Sequence, residues 1–257
     1  MSNSHGYIKR RLDAPNSFFE AEAAGLAWLA AANGVRVVSV LDVAARHIVV
    51  EHITQVQPTA DAARRFGGAL AVTHAAGAAA FGAPPDGYKG PLYIGNRTLP
   101  SAYETSWGRF YAAARVLPYL KIAEAVGNIS EAGAQVVRQA CEILASGAFD
   151  DDEAPARLHG DLWHGNVLWA ADGVVLIDPA AHGGHRETDL AMLALFGCPH
   201  LDAVFDGYDA QAPLRAGWRQ RLPMHQLHPL AVHAAGYGPS FGANLHTAAQ
   251  AVLDLAS

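Results

Sequence analysis

The stretch Leu158-His159-Gly160-Asp161-Leu162-Trp163-His164-Gly165-Asn166 sets an Asp and an Asn five positions apart on a loop. A second Asp follows in Val174-Val175-Leu176-Ile177-Asp178-Pro179, at the end of an apolar, β-branched run. This is the polar equipment of a phosphotransferase that uses ATP and magnesium. Asp161 is placed to accept the proton of an attacking hydroxyl. Asn166 and Asp178 offer the oxygen ligands that Mg²⁺ prefers. His159, two residues before the base, would brace the loop. Spacing alone leaves two other readings open. His-Gly-Asp can be a turn whose Asp bonds its own backbone. His159, Asp161 and His164 can also start a metallohydrolase site, with His182 and His185 as the best further ligands.

A second constellation pairs Lys9 with Glu22. The segment from His5 to Arg11 reads as a short strand, and Asn16 or Ser17 then caps a helix that runs to about Asn33, with Gly34 as its stop. Phe19, Leu26 and Leu29 share one face of that helix, and Glu22 falls on the same face. A carboxylate there asks for a cation. A strand Lys paired with a helix Glu places an ammonium over nucleotide phosphates. Glu51-His52-Ile53 ends a later strand, where backbone groups can pair with adenine.

The elements that must position these groups follow in order. Residues 35–41 and 46–52 read as strands around a turn at 42–45, and 53–58 as a linker. A helix is expected over 61–80, then a long Gly/Pro-rich loop over 81–103. Helices follow at about 104–126 and 130–147. An acidic linker at 150–153 leads into the motif loop and a short hairpin across Ala171-Asp172-Gly173. Helices are expected at about 187–196, 199–209, 214–221, 223–236 and 242–255. The reading is an α+β, two-lobed chain: a small β-rich N-lobe over residues 1–53, and a larger, mainly helical C-lobe over 54–257, with a ligand cleft between them.

The bulk properties agree. With 257 residues, 51% of them hydrophobic and 16% charged, the chain is globular. A formal net charge of -6 gives no basic footprint for nucleic acid. Two cysteines exclude a disulfide framework. No signal core or membrane-length apolar run is present, so a cytoplasmic location is expected. The thirteen histidines are scattered.

Taken together, His159 to Asn166, Ile177-Asp178-Pro179-Ala180 and Gly184-His185-Arg186-Glu187-Thr188-Asp189-Leu190-Ala191-Met192 resemble the fructosamine kinase (ketosamine 3-kinase) family. That family is protein-kinase-like and related to aminoglycoside and choline kinases. Phe19 to Ala23, His74, Phe81-Gly82, the Asn96 region, Trp107 to Leu117, Phe196-Gly197 and Tyr208 extend the match over nearly the whole chain. The resemblance implies ATP-dependent phosphorylation of a sugar hydroxyl on a ketosamine. Asp161 is then the base, and Asn166 and Asp178 bind Mg²⁺. Lys9 contacts ATP phosphates and is oriented by Glu22. Residues Glu51, His52 and Ile53 form the adenine hinge. Trp163 and His164 lie beside the sugar amine, His164 standing where a serine is common. His185, Arg186 and Asp189 structure the metal-binding loop and the helix after it.

Only eight residues precede Lys9, which leaves no room for the Gly-rich phosphate loop of such kinases. Weak nucleotide binding and an uncovered sheet edge are therefore expected. A kinase-like binding protein without activity, or an aminoglycoside- or choline-type phosphotransferase, remain the alternatives.

Overall fold

The computed structural model describes residues 6–257, so the expected strand start at His5 lies outside the described residues. Strand β1 (Tyr7–Arg10) pairs antiparallel with a later strand and turns only Lys9 partly inward. Helix α1 (Phe18–Ala30) buries Phe19, Glu22, Leu26 and Leu29, the helical spacing that sets one face against the sheet.

The expected strand over 35–41 divides in two. Its first part, β2 (Arg36–Val37), leaves the N-terminal sheet and pairs in parallel with a later strand, Gly173–Leu176. The second part begins β3 (Val40–Ala44), whose pairing with β4 (His47–Val50) is irregular between Val40 and Asp42. The sheet order is β1-β4-β3, with β1 at the edge and Lys9 opposite Ile48.

Helix α2 (Ala60–Ala75) starts at Thr59, whose side chain accepts the Ala62 N–H. The region expected as an unstructured loop contains a hairpin, β5 (Leu92–Ile94) and β6 (Arg97–Leu99), turning on Gly95-Asn96. Gly95 takes φ 53°, the left-handed region that glycine enters without steric cost.

The helix expected over 104–126 is three pieces: α3 (Trp107–Phe110), a π-helical turn (Tyr111–Val116) and α4 (Leu117–Ala125). Helix α5 (Glu131–Ala145) follows. Strand β7 (Ala156–Leu158) enters the motif loop, which closes in a 3₁₀ turn (His164–Asn166). The expected hairpin is β8 (Val167–Ala170) and β9 (Gly173–Leu176), and β10 (His182–Gly184) pairs back on β7.

The remainder is α6 (Glu187–Phe196), α7 (Leu201–Gln211), α8 (Trp218–Ala234) and α9 (Pro239–Leu255). Helix α8 spans the stretch expected as two helices and carries Pro223 and Pro229 inside it. Met224, Leu227, Leu230 and Ala231 of α8 are buried in the same core as α5 and α9, and this packing outweighs the local cost of proline. Among the described residues, no helix is long and apolar enough to cross a membrane.

Candidate active site

Three chain segments meet at Lys9. Its Nζ lies 2.9 Å from Glu22 Oε2 on α1 and 3.0 Å from Asp178 Oδ1, just beyond β9. Glu22 is buried. Asp178 holds φ 53°, a left-handed conformation that Asp tolerates better than most residues and that costs energy to maintain. The paired strand β9 delivers Asp178 to this point, so the strain is held by the sheet.

The motif loop faces the same centre. Asn166 donates from Nδ2 to the Asp161 carbonyl (2.8 Å), to Asp161 Oδ2 (3.3 Å) and to the Asp178 carbonyl (3.4 Å). Asp161, Asn166 and Asp178 thus converge. His159 is buried beneath them. Its Nε2–H donates to the Ile177 carbonyl (2.9 Å), and its Nδ1 accepts the Asp161 N–H (3.3 Å). That role as a brace excludes it as a metal ligand.

Asp189, in the first turn of α6, anchors the loop backbone. Its carboxylate accepts the N–H groups of His159 (2.8 Å) and Gly160 (3.0 Å), and His74 Nε2 lies 3.1 Å away. His74 Nδ1 in turn lies 2.8 Å from the Tyr208 hydroxyl. All of this is buried. Replacing Asp189 by Ala is expected to lower stability by about 3–5 kcal/mol, because three buried donors lose their acceptor. Urea unfolding of the variant checks this, and a loss under 1 kcal/mol would refute the anchoring role.

The electrostatics divide these carboxylates. Burial is the main cause that lifts Asp161 to about 7; Asn166 pulls against it, and Asp178 and Asp189 add to it. Burial likewise lifts Glu22 to about 7, opposed by Lys9. Burial works against the Lys9 charge, but Glu22 and Asp178 outweigh it and hold its pKa above the ordinary value. Burial also works to raise Asp189, yet the bonds it accepts hold it below the carboxylate range. A carboxyl near neutrality beside one held ionised is the pattern of an acid–base site.

Asp161 stands between two cavities. The smaller, about 110 Å³, is lined by Lys9, Glu22, Tyr93 and Asp178. The larger, about 570 Å³, is walled by Trp163, Phe196, His233 and Tyr237, with Arg97 on its rim. The hairpin tip at Ile94-Gly95 borders both.

Several expected positions lie outside the two cavities. Residues 51–53 line neither cavity. The Glu51 carboxylate is taken by Arg36 (3.0 Å) and the Ser39 N–H (3.1 Å). His164 is exposed, lies 3.1 Å from the Phe196 carbonyl through Nδ1, and packs edge-on against Trp163. It lines neither cavity and supports Trp163 from outside.

His185 and Arg186 make no hydrogen bond to the Asp178 loop, but His185 Nδ1 accepts the Glu187 N–H (3.2 Å) at the start of α6, the helix after that loop. His185 Nε2 lies 3.3 Å from Asp151, and Arg186 donates to Glu153 and to the Ala212 and Pro213 carbonyls. They tie the acidic linker to the end of α7, because β10 carries them past the cavity before α6 begins. Among the described residues, the ligand atoms that converge are those of His185, Glu187 and His225. Arg221 Nε already holds Glu187 at 3.0 Å, so this is a buried ion pair with flanking histidines. The metallohydrolase centre of His159, Asp161 and His164 is not formed.

His233 and Tyr237 have no local motif that marks them, and Phe196 and the Asn96 region enter only through the family resemblance, which gives them no role at the site. The Gly-Asn turn ahead of Arg97 is the signal that would have revealed its hairpin.

A family model described as fructosamine kinase matches residues 2–255. The chain belongs to the fructosamine kinase family. An Enterococcus faecium protein named a probable ketoamine kinase is 31% identical over 242 residues, 93% of this chain and 84% of the relative. The crystal structure of a Thermobifida fusca protein named as a fructosamine-3-kinase superposes with a TM-score of 0.89 at 44% identity, covering 97% of this chain and 85% of that one. Aminoglycoside phosphotransferase APH(4)-Ia shares the fold alone, with a TM-score of 0.61 at 16% identity over 94% of this chain and 85% of its own. The fructosamine kinase family places this chain among the phosphotransferases with a protein-kinase-like, two-lobed α+β fold.

Proposed function

We propose that this chain transfers the γ-phosphoryl group of ATP to a sugar hydroxyl of a ketosamine. The observation that carries this reading is the meeting of Lys9, Glu22 and Asp178 with Asp161 at the border of two cavities. The small polar cavity suits the phosphates, and the aromatic one suits the flat apolar faces of a sugar. In this reading residues 1–53 serve the nucleotide side, and 54–257 carry catalysis and the acceptor.

Asp161 accepts the hydroxyl proton as the oxygen attacks phosphorus, while the β–γ bridging oxygen leaves with ADP. Lys9 neutralises phosphate charge, and Glu22 keeps its ammonium in place. Asn166 and Asp178 would hold Mg²⁺. The Asn166 Nδ2 is spent on Asp161 and Asp178, and its Oδ1 has no hydrogen-bond partner among the described residues. With the Asp178 carboxylate it makes an all-oxygen donor set, which suits that ion. When bound, the ion neutralises the phosphate oxygens. Backbone groups of His52 and Ile53 also lack hydrogen-bond partners among the described residues, which fits pairing with adenine.

The test is ADP release from ATP and Mg²⁺ with fructose-lysine as acceptor. No acceptor-dependent ADP would refute the reading. Lys9→Met is expected to lower kcat/KM for ATP by roughly 10²-fold. Titrating ATP at saturating acceptor measures that loss, and an unchanged value would remove Lys9 from the phosphate site.

A further inference from the structure

The larger cavity carries a charge pattern that phosphoryl transfer does not itself require. Asp161 is the single carboxylate that lines it among the described residues, and it lines the smaller cavity as well. Arg97 lines only the larger one. Its Nη2–H donates to the Ala235 carbonyl (2.6 Å), just past the end of α8. That bond fixes a half-buried guanidinium on the cavity wall. A guanidinium has five N–H donors. Those that Arg97 does not give to Ala235 find no acceptor among the described residues, and no carboxylate pairs with it there. The remaining lining is aromatic (Trp163, Phe196, His233 and Tyr237), aliphatic or the neutral Asn96, and brings no second negative charge.

We propose that Arg97 recognises a carboxylate on the acceptor, so that the preferred acceptor is the ketosamine of a free amino acid. Such a molecule is a zwitterion. Its sugar and secondary amine lie toward Asp161, and its carboxylate meets Arg97 in a charge-assisted, forked pair. A polycationic acceptor such as an aminoglycoside finds one carboxylate and is repelled by Arg97. The inference rests on the reading of Asp161 as the base of an acceptor site.

Two matched acceptors test it: fructosylglycine and its primary amide, fructosylglycinamide. With the native chain, ATP and Mg²⁺, the acid is expected to show a KM about tenfold below that of the amide. In Arg97→Met the preference is expected to vanish, and in Arg97→Lys to survive in part. The acid-to-amide ratio is the readout that a structural role does not move. If Arg97→Met weakens both acceptors in the same proportion, Arg97 only props the hairpin against α8 and the proposal falls. Equal KM values in the native chain overturn it too.

Calorimetric binding of both compounds without ATP separates this from the kinase reading. Tighter binding of the acid that disappears in Arg97→Met supports the site even if no ADP forms. Equal binding, or none, overturns it.

Discussion

Asp161→Asn is expected to reduce ketosamine phosphorylation by roughly 10²- to 10⁴-fold, the range that a positioned general base supplies. The effect belongs to kcat, because the substitution keeps the shape of the loop and the amide can still meet Asn166. Burial and the neighbouring carboxylates of Asp178 and Asp189 hold Asp161 near neutrality, so a charged group sits there at an energetic cost. Removing the charge relieves that cost. The variant is therefore expected to melt no lower than the native chain. Lost turnover with an unchanged or raised Tm separates chemistry from folding. Turnover within tenfold of native would show that another group takes the proton.

The second large effect is the loss, between about pH 6.5 and 4, of the stability that the buried neutral histidines contribute. Burial holds His225 at about 4 and His228 at about 3, and it lowers His159 and His182 as well. Unfolded histidines protonate near 6.5. Between these values the unfolded chain binds more protons than the folded one, so stability falls as pH falls. His225 and His228 together account for about 4 kcal/mol by pH 5, at about 1.4 kcal/mol per unit and group. That is a large part of a typical domain's total.

Glu187 and Asp151 act in a different window. Hydrogen bonds and charge from His225, Arg221 and His185 outweigh burial and hold both at about 2. Their contribution is complete above the unfolded carboxylate range and is lost only as pH falls toward 2. Urea midpoints measured from pH 8 to pH 4 test the histidine effect. Asp161 and Glu22, raised to about 7, take up protons in the folded chain over the same range and oppose this loss. The histidine effect is therefore read against His228→Gln, which is expected to gain about 2 kcal/mol relative to the native chain between pH 7 and pH 5; an unchanged difference would contradict it.

The fold and the candidate site were legible to different depths. Helices α1, α5 and α7 lie within a few residues of where they are expected, since their faces are written in consecutive residues, but the expected cap Ser17 makes no capping bond and lies 3.0 Å from the Tyr93 hydroxyl instead. The hairpin β5–β6 was missed because two three-residue strands are too short for alternation to register among the surrounding glycines and prolines. The unbroken α8 was missed because local proline cost pointed to an end, while burial against α5 and α9 decided otherwise.

At the site, the residue types and spacing from His159 to Asn166, and Asp178 at a strand end, are properties of contiguous chain. A turn and a strand set their geometry locally, so sequence alone marked the groups proposed to do chemistry. Glu22 was legible too, as a carboxylate on an apolar helix face. Tertiary structure alone decided what surrounds them. The pairing of β2 with β9, the His74–Asp189 anchor, the position of His164 outside the cavity and the arrival of Arg97 beside Trp163 all join residues far apart in the chain. Such contacts follow from how whole faces pack, and no local pattern encodes their partner. The proposed catalytic groups are therefore written in the motif, and the proposed acceptor cavity is written in the tertiary structure that brings the β5–β6 hairpin, α6 and α8 to one cavity.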